Sequence, residues 1–329
     1  MIDIVLLWVE GSDPLWREER SRYVGKRDDA SEVRFRDWGT LRYLFRGIEC
    51  FAPWIHMIHF VTWGHVPRWL RIDHPRLHIV RHEEYIDPKF LPLFNANALE
   101  VNLHKIEGLA EKFIYFNDDL FFSAPTEPDR FFLDGKPRDS FVANALSSSQ
   151  GVGHFVLNDL EIINRHFDKW KISRSRLFHC FNVRYGMGNL RTMALLPWRR
   201  FTGFVDYHLP QPFCKSTFDE LWNLEREALE RTGASRFRSC DDLNQYLFRY
   251  WHLAKGAFVP VSMRDGKYLT LSMRNLRDGT VDRVINSGEY RLVCLNDDEG
   301  ISTEEFAEAK ELLRQSLEKL LPQKSEFEL

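Results

Sequence analysis

Short apolar runs alternate along this chain with amphipathic stretches, and that alternation restricts its fold more than any other feature. Residues 2–9 form an apolar run bounded by the turn formers Glu10-Gly11-Ser12-Asp13-Pro14, too short for a buried helix, which predicts a buried strand. From Asp37 onward, Leu41, Leu44, Phe45 and Ile48 recur at i, i+3, i+4 and i+7 as one helical stripe, and Pro53 stops it. Residues 55–62 and 77–80 read as further strands, 95–106 as a helix, and 112–116 as a buried strand ending on Asn117-Asp118-Asp119. Strands and helices in this alternation predict an α/β fold, a mostly parallel sheet covered on both faces.

The 329 residues suit one catalytic domain: an α/β half over 1–122, an irregular insertion or lid over 123–200 with a single helix near 158–168, and a completing half over 201–329. Helices are expected to open at Ser216 and Ser239, each with an Asp three residues on in the capping-box pattern. Short strands near 258–261 and 291–295 precede a last amphipathic helix capped at Ser302 and carrying Phe306, Leu313, Leu317 and Leu320. No internal repeat interrupts this order.

With 45 Lys and Arg against 48 Asp and Glu, the net charge of −3 argues against nucleic acid as a partner bound by bulk counterion release. An apolar content of 44% argues against disorder. The first residues carry no basic stretch before an apolar core, and no run approaches the roughly 20 residues of a membrane span, so neither export nor an integral membrane segment is expected. Five scattered cysteines with no C-x-x-C pair suit a reducing cytoplasm and speak against a disulfide framework or a thiolate zinc site. Twenty-six Phe, ten Trp and ten Tyr suit a thick core and also a stacking surface for sugar rings or a base.

Asp118 and Asp119 end a buried strand where open α/β sheets place their ligands, and adjacent carboxylates attract a cation. Mg²⁺ (or Mn²⁺) bridging a nucleotide diphosphate is the functional reading, and a solvated turn the plain one. His208, within Asp206-Tyr207-His208-Leu209-Pro210-Gln211-Pro212, stands on backbone limited by two prolines and is a candidate general base, against an ordinary hydrogen-bonded His. Arg238 precedes the helix expected at Ser239, a place that favours phosphate, while Asp242 is equally suited to capping that helix. Asn296-Asp297-Asp298 repeats the strand-then-acid pattern and offers a second side to a metal or phosphate site. Gly151-Val152-Gly153 and Gly186-Met187-Gly188 do not extend to a phosphate-loop fingerprint.

Taken together, these segments resemble the Stealth family, sugar-phosphate transferases that include bacterial capsule polymerases and the lysosomal-enzyme N-acetylglucosamine phosphotransferase. The first matching block runs from Ile2-Asp3-Ile4-Val5 to Trp8-Val9-Glu10-Gly11-Ser12-Asp13-Pro14. The second runs from Arg36-Asp37 through Leu41-Arg42-Tyr43, Ala52-Pro53-Trp54, Leu91-Pro92, Phe94-Asn95 and Ala98-Leu99-Glu100 to Asn117-Asp118-Asp119. His208-Leu209-Pro210 with Arg238 and Asp242 form the third, and Cys294-Leu295-Asn296-Asp297 the fourth. Leu7, Glu10 and Leu93 depart from the family's usual residues.

The resemblance implies a Rossmann-like core similar to GT-A nucleotide-sugar transferases. It implies transfer of a sugar with its phosphate from a nucleotide sugar, a UDP-N-acetylhexosamine or UDP-hexose, to a hydroxyl of a saccharide or growing polymer. A phosphodiester forms and a nucleoside monophosphate leaves. On this reading His208 is the base, Asp118 and Arg238 act on the transferring phosphate, and Asp118, Asp119, Asn296 and Asp297 hold Mg²⁺ or its water shell. Asp13, Arg42, Asn95, Glu100 and Asp242 bind the donor. Two other classes compete: a glycosyltransferase that releases nucleoside diphosphate, and a non-catalytic carbohydrate-binding protein. The expected location is the cytoplasm, including the inner face of the membrane if the acceptor is lipid-linked, although no amphipathic basic helix argues for attachment.

Overall fold

The computed structural model describes residues 1–24, 36–147, 152–297 and 300–329. Asp298 and Gly151 lie outside the described residues. The first half contains β1 Asp3–Leu7, α1 Pro14–Ser21, α2 Leu41–Phe51, β2 Ile58–Thr62, β3 Leu77–Arg81, α3 His82–Tyr85, α4 Ala96–Glu100, β4 Lys112–Phe116, β5 Leu120–Phe122, β6 Phe132–Leu133 and β7 Lys136–Asp139. Four helices follow: α5 Val152–His166, α6 Lys169–Ser175, α7 Leu177–Cys180 and α8 Gly188–Ala194. The rest comprises β8 Gln211–Cys214, α9 Lys215–Leu224, α10 Arg226–Gly233, α11 Tyr246–Lys255, β9 Val259–Pro260, β10 Gly266–Thr270, α12 Met273–Arg277, α13 Thr280–Asn286, β11 Leu292–Asn296 and α14 Thr303–Leu320.

The main sheet has the order β3-β2-β1-β4-β8, parallel except for β8 at its edge, as the alternation predicted. The period of two along its strands divides the core. Ile4 and Leu6 join Phe60, Ile114, Phe116 and the α2 stripe on one face, while Val5 joins Val61, Phe113 and Tyr115 on the other. On that second face Phe218 of α9 stacks on Phe248 of α11 with ring centroids 3.5 Å apart. The chain leaves β1 toward β2 and β3, then returns to place β4 on the opposite side of β1. The carboxyl ends of β1 and β4 therefore flank the switch point, the crevice where such folds bind ligands. A second sheet, β10-β11-β5, meets the first through the Asn117-Asp118-Asp119 turn, which carries the chain from β4 into β5. The architecture is thus α/β and Rossmann-like, with a helical insertion.

Three local expectations are corrected. The helix expected over 95–106 stops after Glu100, because the Asn102 side chain donates to the Ala98 carbonyl and the chain tightens into a 3₁₀ turn over Leu103–Lys105. Ser239 opens no helix: Asp242 closes a turn by accepting the Ser239 N–H, and the helix begins at Tyr246. The insertion is more helical than irregular, holding α5 to α8 where one helix was expected. At Ser216 a helix does form, beginning at Lys215, but the Ser216 hydroxyl donates to Glu111 instead of capping.

Candidate active site

A cavity of about 760 Å³ opens at the switch point. Its wall is drawn from residues 8–11 after β1, 117–119 after β4 and 296–297 at the end of β11, with Trp16 and Arg20 of α1, His154 and Phe155 of α5, and the loop bearing Phe237 and Arg238. The acidic floor is held by backbone: the Leu295 N–H donates to the Asp119 carbonyl at 2.9 Å, and Cys294 pairs with Leu120 across the second sheet. These bonds bring Asn296 and Asp297 beside Asp118 and Asp119, although almost 180 residues separate them in sequence.

His208 meets this floor. Its Nε2 lies 3.2 Å from Asp119 Oδ2, and its backbone is left-handed at φ 47°, rare for a residue with a side chain. The segment is pinned two residues upstream, where Asp206 accepts from Arg249 Nη1 at 2.6 Å and from the Tyr250 hydroxyl at 2.7 Å. Arg249 also binds Asp139 through two further bonds, at 2.8 and 2.9 Å. Burial alone disfavours a charged His208, but the bond to Asp119 and the charges of Asp119, Glu100 and Asp206 outweigh it and hold the imidazole above its ordinary value.

Asp118 opens onto the cavity's solvent while protein encloses it on its other sides. That enclosure, reinforced by the charge of Asp119, pushes its carboxyl up to about 7. Asp119 Oδ1 is buried and accepts no hydrogen bond among the described residues. On its other oxygen, Oδ2, the Cys294 thiol sits at 3.3 Å; burial and then Asp119's charge raise that thiol far above its usual range, so it remains an S–H donor. Crowded carboxylates with an unsatisfied oxygen are what a divalent cation satisfies, and the oxygens of Asp118, Asp119, Asn296 and Asp297 suit Mg²⁺ or Mn²⁺. Asp119, His208 and Cys294 also offer ligand atoms within 4.8 Å of one another.

The other expected residues divide. Arg238 is exposed on the cavity wall, pairs with no carboxylate among the described residues, and lends its charge to Glu100. Its loop is not a helix terminus, so no fan of free N–H groups accompanies it. Asn95 and Glu100 line the cavity but are buried in structural bonds: Asn95 Nδ2 to Asp242 at 2.8 Å, and Glu100 to the Tyr115 hydroxyl at 2.8 Å. Asp242 anchors that loop, taking the Asn95 and Asn97 amides and the Ser239 N–H, and does not line the cavity. Asp13 caps α1 by accepting the Trp16 N–H at 2.8 Å, acting on the wall only through that helix. Arg42 is exposed on α2 over the Trp69 ring, off the cavity. Sequence reading assigned no part to Cys294 or to the Asp139–Arg249–Asp206 chain, and it named no residues for the stacking surface it expected, where Phe94 stacks on Phe237 with centroids 5.5 Å apart.

The chain matches Stealth protein conserved region 1 over residues 2–28 and conserved region 2 over residues 34–139. It is 38% identical over 333 residues to the capsular polysaccharide phosphotransferase WcwK of Streptococcus pneumoniae, spanning 99% of this chain and 98% of that one. It is 39% identical to the exopolysaccharide phosphotransferase cps2G of Lactiplantibacillus plantarum, over 99% of this chain and 96% of the other. The receptor polysaccharide phosphotransferase WefC of Streptococcus gordonii is also 39% identical, over 100% and 99%. Among solved structures, galactosyltransferase LgtC in complex with donor and acceptor sugar analogs aligns over 99% of this chain and 98% of its own at 11% identity, with a TM-score of 0.39. The fold assignment rests on the strand order.

Proposed function

This chain belongs to the Stealth family of capsular and exopolysaccharide phosphotransferases, and from that membership we propose that residues 1–329 act as one catalytic domain transferring a sugar 1-phosphate from a nucleotide sugar to a saccharide hydroxyl. The observation that carries the proposal is the meeting of His208 Nε2 with Asp119 Oδ2 at 3.2 Å, on the floor of a cavity whose wall presents the exposed guanidinium of Arg238. The acceptor oxygen attacks the phosphorus that bears the sugar and the bond to the inner phosphate of the nucleotide breaks. The nucleoside monophosphate leaves, and the acceptor's proton passes to His208 Nε2.

Asp119 orients the imidazole and stabilises the imidazolium that forms, while Arg238 neutralises the non-bridging oxygens. A divalent ion held by Asp118, Asp119, Asn296 and Asp297 supplies further charge neutralisation to those oxygens when bound. The aromatic wall of Trp16, Phe94 and Phe237 offers stacking faces for the base or sugar rings. A uridine donor is the working choice, and the polymer being built is the acceptor.

The test is a screen of nucleotide sugars with product analysis by ³¹P NMR and chromatography. Release of UMP together with a new phosphodiester resonance is expected. Accumulation of UDP assigns the chain instead to ordinary glycosyl transfer, and binding of sugars with no turnover of any donor removes the enzymatic reading.

A further inference from the structure

We propose that α6, α7 and α8 form a docking surface for an anionic lipid bilayer. Between Asp168 and Asp206 the chain has eight Lys and Arg and not one Asp or Glu, in a protein whose net charge is −3. The same stretch holds eight of the seventeen large apolar side chains that stand exposed among the described residues, and the three most exposed of these are Val183 at 91%, Phe178 at 81% and Met187 at 73%. An apolar exposure so concentrated marks an interaction surface.

Hydrogen bonds tie these short helices into one unit. Lys169 is buried and donates to the carbonyls of Leu195 and Trp198, and Trp170 Nε1 donates to Leu196, fastening α6 to the segment after α8. Asn189 of α8 bonds the Asn182 carbonyl at 2.8 Å, and the Tyr185 hydroxyl bonds His179 of α7 at 2.8 Å. Between α6 and the segment after α8 lies a shallow depression of about 470 Å³ lined by Asp168, Trp170, Lys171, Arg174, Ser175 and Arg199. It presents three cations against one carboxylate, and that carboxylate is engaged in capping α6 through the Lys171 N–H.

The chemistry selects the occupant. Arg and Lys beside Trp match phosphate headgroups and the interfacial layer, while Phe178, Val183 and Met187 gain only where hydrocarbon receives them. A soluble phosphodiester polymer satisfies the charges but leaves Val183 and Met187 in water. Among the described residues no helix is long and apolar enough to cross a membrane, so the proposed contact is interfacial. Because α5 of the same insertion puts His154 and Phe155 on the cavity wall, a bilayer held by α6 to α8 lies against an insertion that borders the active site.

The experiment is co-sedimentation of the full chain with vesicles of phosphatidylcholine alone, and of phosphatidylcholine and phosphatidylglycerol in equal parts, at low and high salt. Binding is expected only to the phosphatidylglycerol vesicles and should weaken with salt. Lys171→Glu with Arg174→Glu and Arg199→Glu should lower affinity roughly 100-fold. Phe178→Ser with Val183→Ser and Met187→Ser should lower it at least 10-fold. Both triple variants change exposed side chains and should keep wild-type donor turnover with a soluble acceptor, which separates failure of docking from failure of the catalytic reading. The proposal is overturned by binding to neither vesicle or equally to both. It is also overturned if the serine variant binds like wild type, or if sedimentation velocity shows a dimer that this variant splits, since a second copy would then cover the patch.

Discussion

Replacing Arg249 with Met removes a guanidinium that is itself buried and holds two carboxylates behind the catalytic histidine. Asp139 loses two bonds and Asp206 loses one, and neither carboxylate is placed to recover them from bulk water, with side-chain exposures of 7% and 18%. Breaking a buried pair in this way costs about 3–5 kcal/mol, and with two anions stranded the upper figure is expected, comparable to the entire stability of a small domain. Burial already pushes Asp206 up to about 6, with Arg249 and the Tyr250 hydroxyl drawing it back. Without Arg249 it rises further, so at mildly acid pH the folded variant binds more protons than the unfolded chain. Stability then falls as pH rises through that range, and the deficit should be larger at about pH 8 than at about pH 5.

Urea unfolding followed by tryptophan fluorescence at both values measures it, with Arg249→Met/Asp139→Asn/Asp206→Asn as a control that removes the stranded charges. A loss under about 1 kcal/mol, or one independent of pH and not relieved in the triple variant, refutes the reasoning, because only uncompensated buried charge predicts that pattern. The same substitution frees the left-handed His208 backbone from its anchor, so kcat should fall even at the more permissive pH.

His208→Ala should keep the wild-type unfolding curve and lose about 10²–10⁴ in kcat with donor KM nearly unchanged; retained turnover removes it as the base. Arg238→Ala should reduce kcat/KM roughly 10- to 100-fold, with Lys recovering part because it keeps the charge but not the planar fork; equal activity of all three would place the transferring phosphate elsewhere. His82, His104 and His252 are buried, and burial lowers each from 6.5 to about 3. Between those values the unfolded chain binds the extra protons, so stability is complete above about pH 6.5 and drains as pH falls, by up to about 1.4 kcal/mol per unit for each residue. A Tm that stays level from about pH 7 to about pH 5 would count against neutral burial. Phe218→Ala, which empties one half of the stacked Phe218–Phe248 pair, should cost about 3–5 kcal/mol in urea unfolding without altering the pH dependence.

Much of the scaffold was legible locally. The strand at β4 was visible because four of its five residues, Phe113 to Phe116, are apolar or aromatic and stop at three polar ones, and α14 because Ser302 accepts the Glu305 N–H in the expected cap. The Ser239 pattern looked the same and formed a turn, since Asp242 is claimed at once by Asn95, Asn97 and Ser239, two of them more than 140 residues away. Family-like blocks marked Arg42 and Asp13 as strongly as His208, yet Arg42 lies over the Trp69 ring outside the cavity lining and Asp13 caps a helix, because a motif records that a residue matters and not whether it touches ligand. The alternation of short apolar runs with amphipathic stretches, a property of neighbours a few residues apart, was enough to determine an α/β sheet. Which carboxylate meets which imidazole, and what holds that imidazole in its strained backbone, depend on contacts across 40 to 180 positions, and only the folded chain decides those.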